Sequence, residues 1–150
     1  MRKPLISVIF IGIYLIFNIG CWSKQNDEFL QTLAGRYIDF LKMVGQSDIK
    51  TYEAQVPNLF APHFKKVMNG KIALTTSKEL APHLKDVRLM AGTWTVDNLE
   101  TLSFPQDRVC VVRYVLNSSK EGTYTTIAIL RYDDKELITE VNEVHNKFER

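Results

Sequence analysis

The side chains of this chain best placed to do chemistry are an arginine, a glutamate and a histidine set in apolar, strand-like runs. Arg113 lies in the run 108–116, where two-residue alternation puts it on one face with Val109, Val111 and Val115. Glu143, near the end of the run 136–144, and His145, just beyond it, share a face with Leu137, Thr139 and Val141. If both rows face inward, a guanidinium, a carboxylate and an imidazole converge at one end of an apolar cavity, with Tyr37 and Trp94 as wall residues. A carboxylate or imidazole beside apolar walls has its pKa moved toward neutrality, and a nearby arginine stabilises an enolate-like anion, so the trio is equipped for proton transfer. The plainer reading makes Arg113 and Glu143 a cross-strand ion pair and leaves His145 at a frayed sheet edge.

Other chemistries find less support. His63, His83 and His145 would suit a three-imidazole metal site, but two stand at expected helix starts and one on a strand, without HxH or HExxH spacing, so no metal or other cofactor is expected. Glu140 and Glu143 are three apart and on a strand point to opposite faces, which argues against a paired-carboxylate glycosidase. Thr123, Tyr124, Thr125 and Thr126 read as β-propensity on an exposed face. Glycine-rich phosphate loops and Gly-x-Ser-x-Gly elbows are absent from the sequence.

At 150 residues, with 45% hydrophobic and 24% charged residues, the chain has globular composition, which excludes disorder as a description of the whole. The net charge of +2 comes from Arg2 and Lys3, which precede the apolar run 5–19. That is the layout of a secretory leader. Without residues 1–20 the basic and acidic side chains balance, so net charge gives no support to nucleic-acid binding. Asn18-Ile19-Gly20-Cys21 resembles a bacterial lipobox with Asn18 in place of the usual Leu, which would make Cys21 the lipidated residue. An ordinary cleaved signal and an uncleaved anchor are the other readings. The anchor is disfavoured because fifteen residues span roughly 22 Å as helix against a hydrocarbon core of about 30 Å. All three place the body outside the cytoplasm, either membrane-anchored in the cell envelope or released as a periplasmic or secreted protein. Residues 21–26 are then a short linker, and Cys110 is a buried free thiol.

The remaining residues must build the scaffold. Phe29, Leu30, Leu33, Tyr37, Phe40, Leu41 and Val44 recur at helical spacing after Asn26 and Asp27, predicting an amphipathic helix over 27–44 that Gly45 stops. A short segment over 49–56 follows, ended by Pro57. Ala61-Pro62-His63 and Ala81-Pro82-His83 form an echo in which each proline marks a helix start, giving helices near 61–68 and 78–91. From Gly92 the runs 93–102, 108–116, 122–132 and 136–144 are rich in Val, Ile, Thr, Tyr and Trp and joined by short turns. They predict a four-stranded antiparallel meander with the helices on one face, an α+β layout.

This order of elements, with Leu59-Phe60-Ala61, Gly92-Thr93-Trp94, Val112-Arg113-Tyr114 and Ile138-Thr139-Glu140-Val141-Asn142-Glu143-Val144, resembles the nuclear transport factor 2-like superfamily. That superfamily includes SnoaL-like polyketide cyclases and ketosteroid isomerase. The resemblance covers residues 27–148 and implies N-terminal helices packed on a curved sheet around a cone-shaped pocket. It does not fix activity, because such folds include enzymes and pure binding modules. The Asp base and Tyr/Asp oxyanion donors of ketosteroid isomerase have no counterparts here, since Asp97, Asp107, Asp133 and Asp134 fall at turns or strand ends. The expectation is an exported, lipid-anchored module that binds a small apolar ligand or a protein partner in the cell envelope. The alternative is a small cyclase, isomerase or dehydratase using Glu143 or His145 as base and Arg113 as anion stabiliser. A homodimer through the outer sheet face follows if that face proves apolar.

Overall fold

The computed structural model describes the backbone of residues 5–148 and side chains from Gln25 to Phe148. The Arg2-Lys3 pair and the side chains of residues 5–24, including Cys21, lie outside the described residues, so the signal and lipidation readings fall there too.

Helix α1 runs from Leu5 to Gln46. No proline interrupts it, and Asn26 and Asp27 sit inside the helix rather than capping a new one. Leu30, Leu33, Ala34, Tyr37, Ile38, Phe40, Leu41 and Val44 form its buried stripe, whereas Phe29 stays 43% exposed. Gly45 belongs to the helix, and its role is packing. A Cβ there would overlap the Trp94 carbonyl oxygen, so only glycine lets the helix lie this close to the strand that carries Trp94.

Two short helices follow, α2 (Ile49–Glu53), capped by Asp48, and α3 (Val56–Leu59), which Pro57 begins rather than ends. The chain then departs from the expected helix over 61–68. Phe60–Met68 is strand β1, joined to β2 (Lys71–Leu74) through Asn69-Gly70, both at positive φ. Asn-Gly is a strong hairpin signal, and here it turns a hairpin rather than closing a helix. Pro62 falls where the β1 register shifts, between Phe60 and Lys65, and a proline is tolerated at such an irregularity because no ladder hydrogen bond is lost. Its echo Pro82 lies in the first turn of helix α4 (Leu80–Ala91), which is preceded by a 3-10 turn with a Thr76/Glu79 capping box. Three identical residues thus enter opposite structures.

The four expected strands are β3 (Trp94–Phe104), β4 (Val109–Ser118), β5 (Gly122–Tyr132) and β6 (Ile138–Lys147). They pair in antiparallel sequence. The sheet is nevertheless six-stranded and mixed, in the order β2-β1-β6-β5-β4-β3, with β1 parallel to β6. The helices are also not all N-terminal, because α4 intervenes between β2 and β3. The core lies between α1 and the inner sheet face, where Phe60 makes edge-to-face contacts with Tyr37, Phe40 and Phe64 at centroid distances of 6.5, 5.2 and 4.9 Å.

Candidate active site

Alternation along β6 puts Val141 and Glu143 on the inner face, with Val144 56% exposed between Glu143 and His145. Glu143 is itself only 2% exposed. A carboxylate there demands partners, and each neighbouring element supplies one. Tyr37, from the buried stripe of α1, donates its hydroxyl to Oε1. Tyr114, on the inner face of β4, donates to the same oxygen at 2.9 Å. Lys66 Nζ lies 3.0 Å from Oε2, brought there by the parallel β1–β6 pairing that sets Met68 opposite Glu143. His145 Nε2 stands 3.3 Å from Oε2, without aligned hydrogen-bond geometry.

The imidazole is held from its other side. His145 Nδ1 and Thr126 Oγ1 are 2.8 Å apart, directly cross-strand, and Asn69 Oδ1 accepts the His145 backbone N–H at 2.9 Å. Burial pushes the Glu143 pKa up, but the Lys66 charge, His145 and the Tyr37 hydroxyl together outweigh it and hold the carboxyl well below its ordinary range. Burial first, and the Glu143 charge second, drive the Tyr37 and Tyr114 hydroxyls well above theirs, so both remain donors.

This cluster forms the polar floor of a cavity of about 470 Å³. Leu84, Val87 and Met90 of α4, with Trp94 and Leu116, give the cavity its apolar walls. Trp94 is fixed by its indole N–H, which donates to the Leu41 carbonyl at 2.9 Å, and by the Arg88 guanidinium 5.6 Å from its ring. His83, from α4, also lines the cavity. Burial, and then the Lys66 charge, lower the His83 pKa, so the ring is neutral at physiological pH. Among the described residues three buried side-chain polar atoms lack a partner, and two of them, His83 Nε2 and His145 Nε2, belong to this cavity.

Of the residues singled out from sequence, Glu143, His145 and Trp94 line one cavity, and Tyr37 stands behind Glu143 as a hydrogen-bond donor. Arg113 does not join them. The inner row of β4 is Cys110, Val112 and Tyr114, so Arg113 is on the outer face, paired with Glu100 at 3.4 Å. Neither the expected anion-stabilising role nor the expected pairing with Glu143 survives that geometry.

Sequence reasoning missed Lys66 and Tyr114, and it weighed His83 only as a metal ligand and Thr126 only as an exposed β-former. Lys66 was hidden by the helix reading of 61–68, although Asn69-Gly70 signalled a hairpin beside it. Thr126, read as exposed, is fully buried. His63 is exposed on β1, and among the described residues no three His, Cys, Asp or Glu side chains group as metal ligands. The Cys110 thiol is buried against the Leu30 carbonyl, and burial pushes it up to about 11.

No family model and no curated protein matches the sequence. Solved structures do match in fold. A protein described as an isomerase of the SnoaL-like family from Agrobacterium tumefaciens is 11% identical, with a TM-score of 0.66 over 78% of this chain and 97% of that one. A protein described as a SnoaL-like polyketide cyclase from Jannaschia is 10% identical, with a TM-score of 0.67 over 80% and 87%. A nuclear transport factor 2-like protein of unknown function from Exiguobacterium is 16% identical, with a TM-score of 0.63 over 77% and 99%. The chain therefore has the nuclear transport factor 2-like, SnoaL-like α+β fold.

Proposed function

We propose that this chain is a small acid–base enzyme of the isomerase, cyclase or dehydratase type, acting on a largely apolar molecule that carries a carbonyl or hydroxyl group. The observation that carries the reading is the ionised Glu143, held by two tyrosines, a lysine and a histidine at the floor of a cavity whose walls include Leu84, Val87, Met90, Trp94 and Leu116. A module that only held an apolar ligand would gain nothing from this floor. Replacing a buried ion pair by hydrophobic side chains is often neutral or stabilising.

In this reading the substrate oxygen binds at the floor. The Lys66 ammonium and the His145 imidazole face the charge that develops on it, and Glu143 balances the charge of Lys66. Lys66 thus takes the role that the sequence suggested for Arg113. Glu143 is a weak base, since its lone pairs are engaged and its pKa is depressed. The isomerase and cyclase descriptions of two fold neighbours agree in reaction class with this proposal.

The test is deuterium uptake at the carbons flanking the carbonyl of β-tetralone, followed by proton NMR in D2O. Exchange accelerated by the wild type and reduced at least tenfold by Lys66→Met supports the proposal. Binding of β-tetralone without accelerated exchange would instead establish a binding module.

The proposal extends to location and assembly. The Arg2-Lys3 leader and Gly20-Cys21 support export and lipid anchoring through Cys21 in the cell envelope. Intact mass of membrane-extracted protein would show a diacylglyceryl group, an unmodified mature N-terminus or a retained leader. The exposed outer-face residues Leu102, Ile127 and Val144 surround Arg113 and Glu100, and each copy brings both charges, so a two-fold contact there is self-complementary.

A further inference from the structure

The two ends of the sheet are occupied differently. At one end the Ser103 hydroxyl donates to the Asp27 carboxylate at 3.0 Å, and Asn26 and Phe29 of α1 share a groove of about 220 Å³ with Pro105 and Arg108. At the other end lies the larger cavity, whose lining includes Ser118, Glu121 and Tyr124 around the β4–β5 turn and Trp94 at the start of β3. Helix α1 runs from one end to the other, from Asp27 beside Ser103 to the Leu41 carbonyl that holds Trp94. The ten residues of β4 separate the two ends by roughly 30 Å.

The N-terminal segment enters the body at the first of these ends. Cys21 stands five residues before Asn26, and α1 is unbroken between them. That stretch covers about 8 Å as helix and no more than about 18 Å fully extended. Whether a lipid on Cys21 or an uncleaved leader holds the chain, the anchoring point is therefore nearer to the groove than to the cavity. Phe29 and Phe104 stand exposed at this same end, and exposed aromatic rings suit the boundary between headgroups and acyl chains.

We infer that the end carrying Phe29 and Phe104 rests on the membrane surface and that the cavity opens at the opposite, aqueous end, so that its ligand is exchanged with solution rather than drawn from the bilayer. This rests on the anchored reading of the N-terminus and holds whether or not the cavity is catalytic. The turns beside the two rings, Pro105–Asp107 and 133–137, set Asp107, Asp133, Asp134 and Glu136 against Arg108 and Lys135. The anchor supplies proximity, so contact needs no basic patch, and the excess of carboxylates favours a zwitterionic lipid over an anionic one.

The experiment places a nitrobenzoxadiazole label on Gln106→Cys, at the anchored end, or on Lys120→Cys, at the cavity end, of the full chain. Both positions are exposed, and the native Cys110 is buried. Each protein is reconstituted in phosphatidylcholine vesicles containing a lipid with a nitroxide on its headgroup, which quenches the label at short range. We expect quenching at least threefold stronger at position 106 than at position 120. Combining Phe29→Asp with Phe104→Asp should halve the quenching at position 106, and no change would remove the two rings from the contact. Equal quenching at the two positions, or stronger quenching at 120, in protein whose intact mass retains a lipid or the leader, overturns the orientation and leaves the anchored reading standing. An intact mass showing neither lipid nor leader overturns both.

Discussion

On the inner face of the sheet Lys66 meets Glu143 at 3.0 Å, with both side chains under 10% exposed. On the outer face Arg113 meets Glu100 at 3.4 Å, with both about half exposed. Each charge sits in an apolar row of a strand, and one residue of register separates the two situations. Inside, the carboxylate has lost its water, so every donor around it is obligatory and its protonation state is fixed by neighbours. Outside, solvent screens the pair and replaces either partner at little cost. A charged residue in an apolar strand therefore signals chemistry only after the face is known.

The largest expected effect comes from breaking the inner pair. Lys66→Met leaves Glu143 buried without its counter-ion and should lower unfolding free energy by roughly 3–5 kcal/mol, measured by urea denaturation. A cost no larger than that of Arg113→Ala would erase the distinction between the faces. Combining Lys66→Met with Glu143→Leu should recover much of the loss, because no unpaired charge remains.

Acid titration sharpens the same contrast. Glu143 has a folded pKa below its ordinary value of 4.5, so its contribution to stability is fully present above that value and is lost as pH falls through 4.5 toward the folded value. Melting temperature should hold from pH 7 to about pH 5 and then decline. Glu143→Gln should flatten that decline, whereas Glu100→Gln should leave it unchanged.

Tyr37→Phe removes one donor to the carboxylate and leaves Tyr114 on the same oxygen. A loss of about 1.5–3 kcal/mol is expected, with the fold retained by circular dichroism. No loss would mean that Tyr114 alone satisfies Oε1. The smallest effect on the monomer belongs to the outer face. Ile127→Lys should alter unfolding free energy by no more than about 0.5 kcal/mol, yet convert a dimer to a monomer in sedimentation velocity. A wild type that sediments as a monomer would remove the proposed pairing.

The meander was legible because its signals are local: alternation, β-branched residues and short polar turns. Strand β5 begins and ends at the residues expected, Gly122 and Tyr132. Strand β1 was not, because Ala61-Pro62-His63 carries a helix-start cue that a register irregularity and long-range pairing with β6 override. Losing β1 also meant losing Lys66, and with it the counter-ion of Glu143.

By itself the sequence determined certain local matters: that 27–44 and most of 78–91 are helical, which four runs form a meander, that Cys110 is an unpaired thiol, and that Glu143 and His145 share a strand face. Each follows from spacing of a few residues and from backbone preferences. Only the tertiary structure decided which face of β4 and β6 turns inward, that Lys66, Tyr37, Tyr114 and Glu143 meet, and that His83 overlooks them from α4. Those facts depend on contacts between residues as much as 106 positions apart. Such contacts form only where burial of the whole core compensates the entropy of closing long loops, and no local pattern encodes that balance.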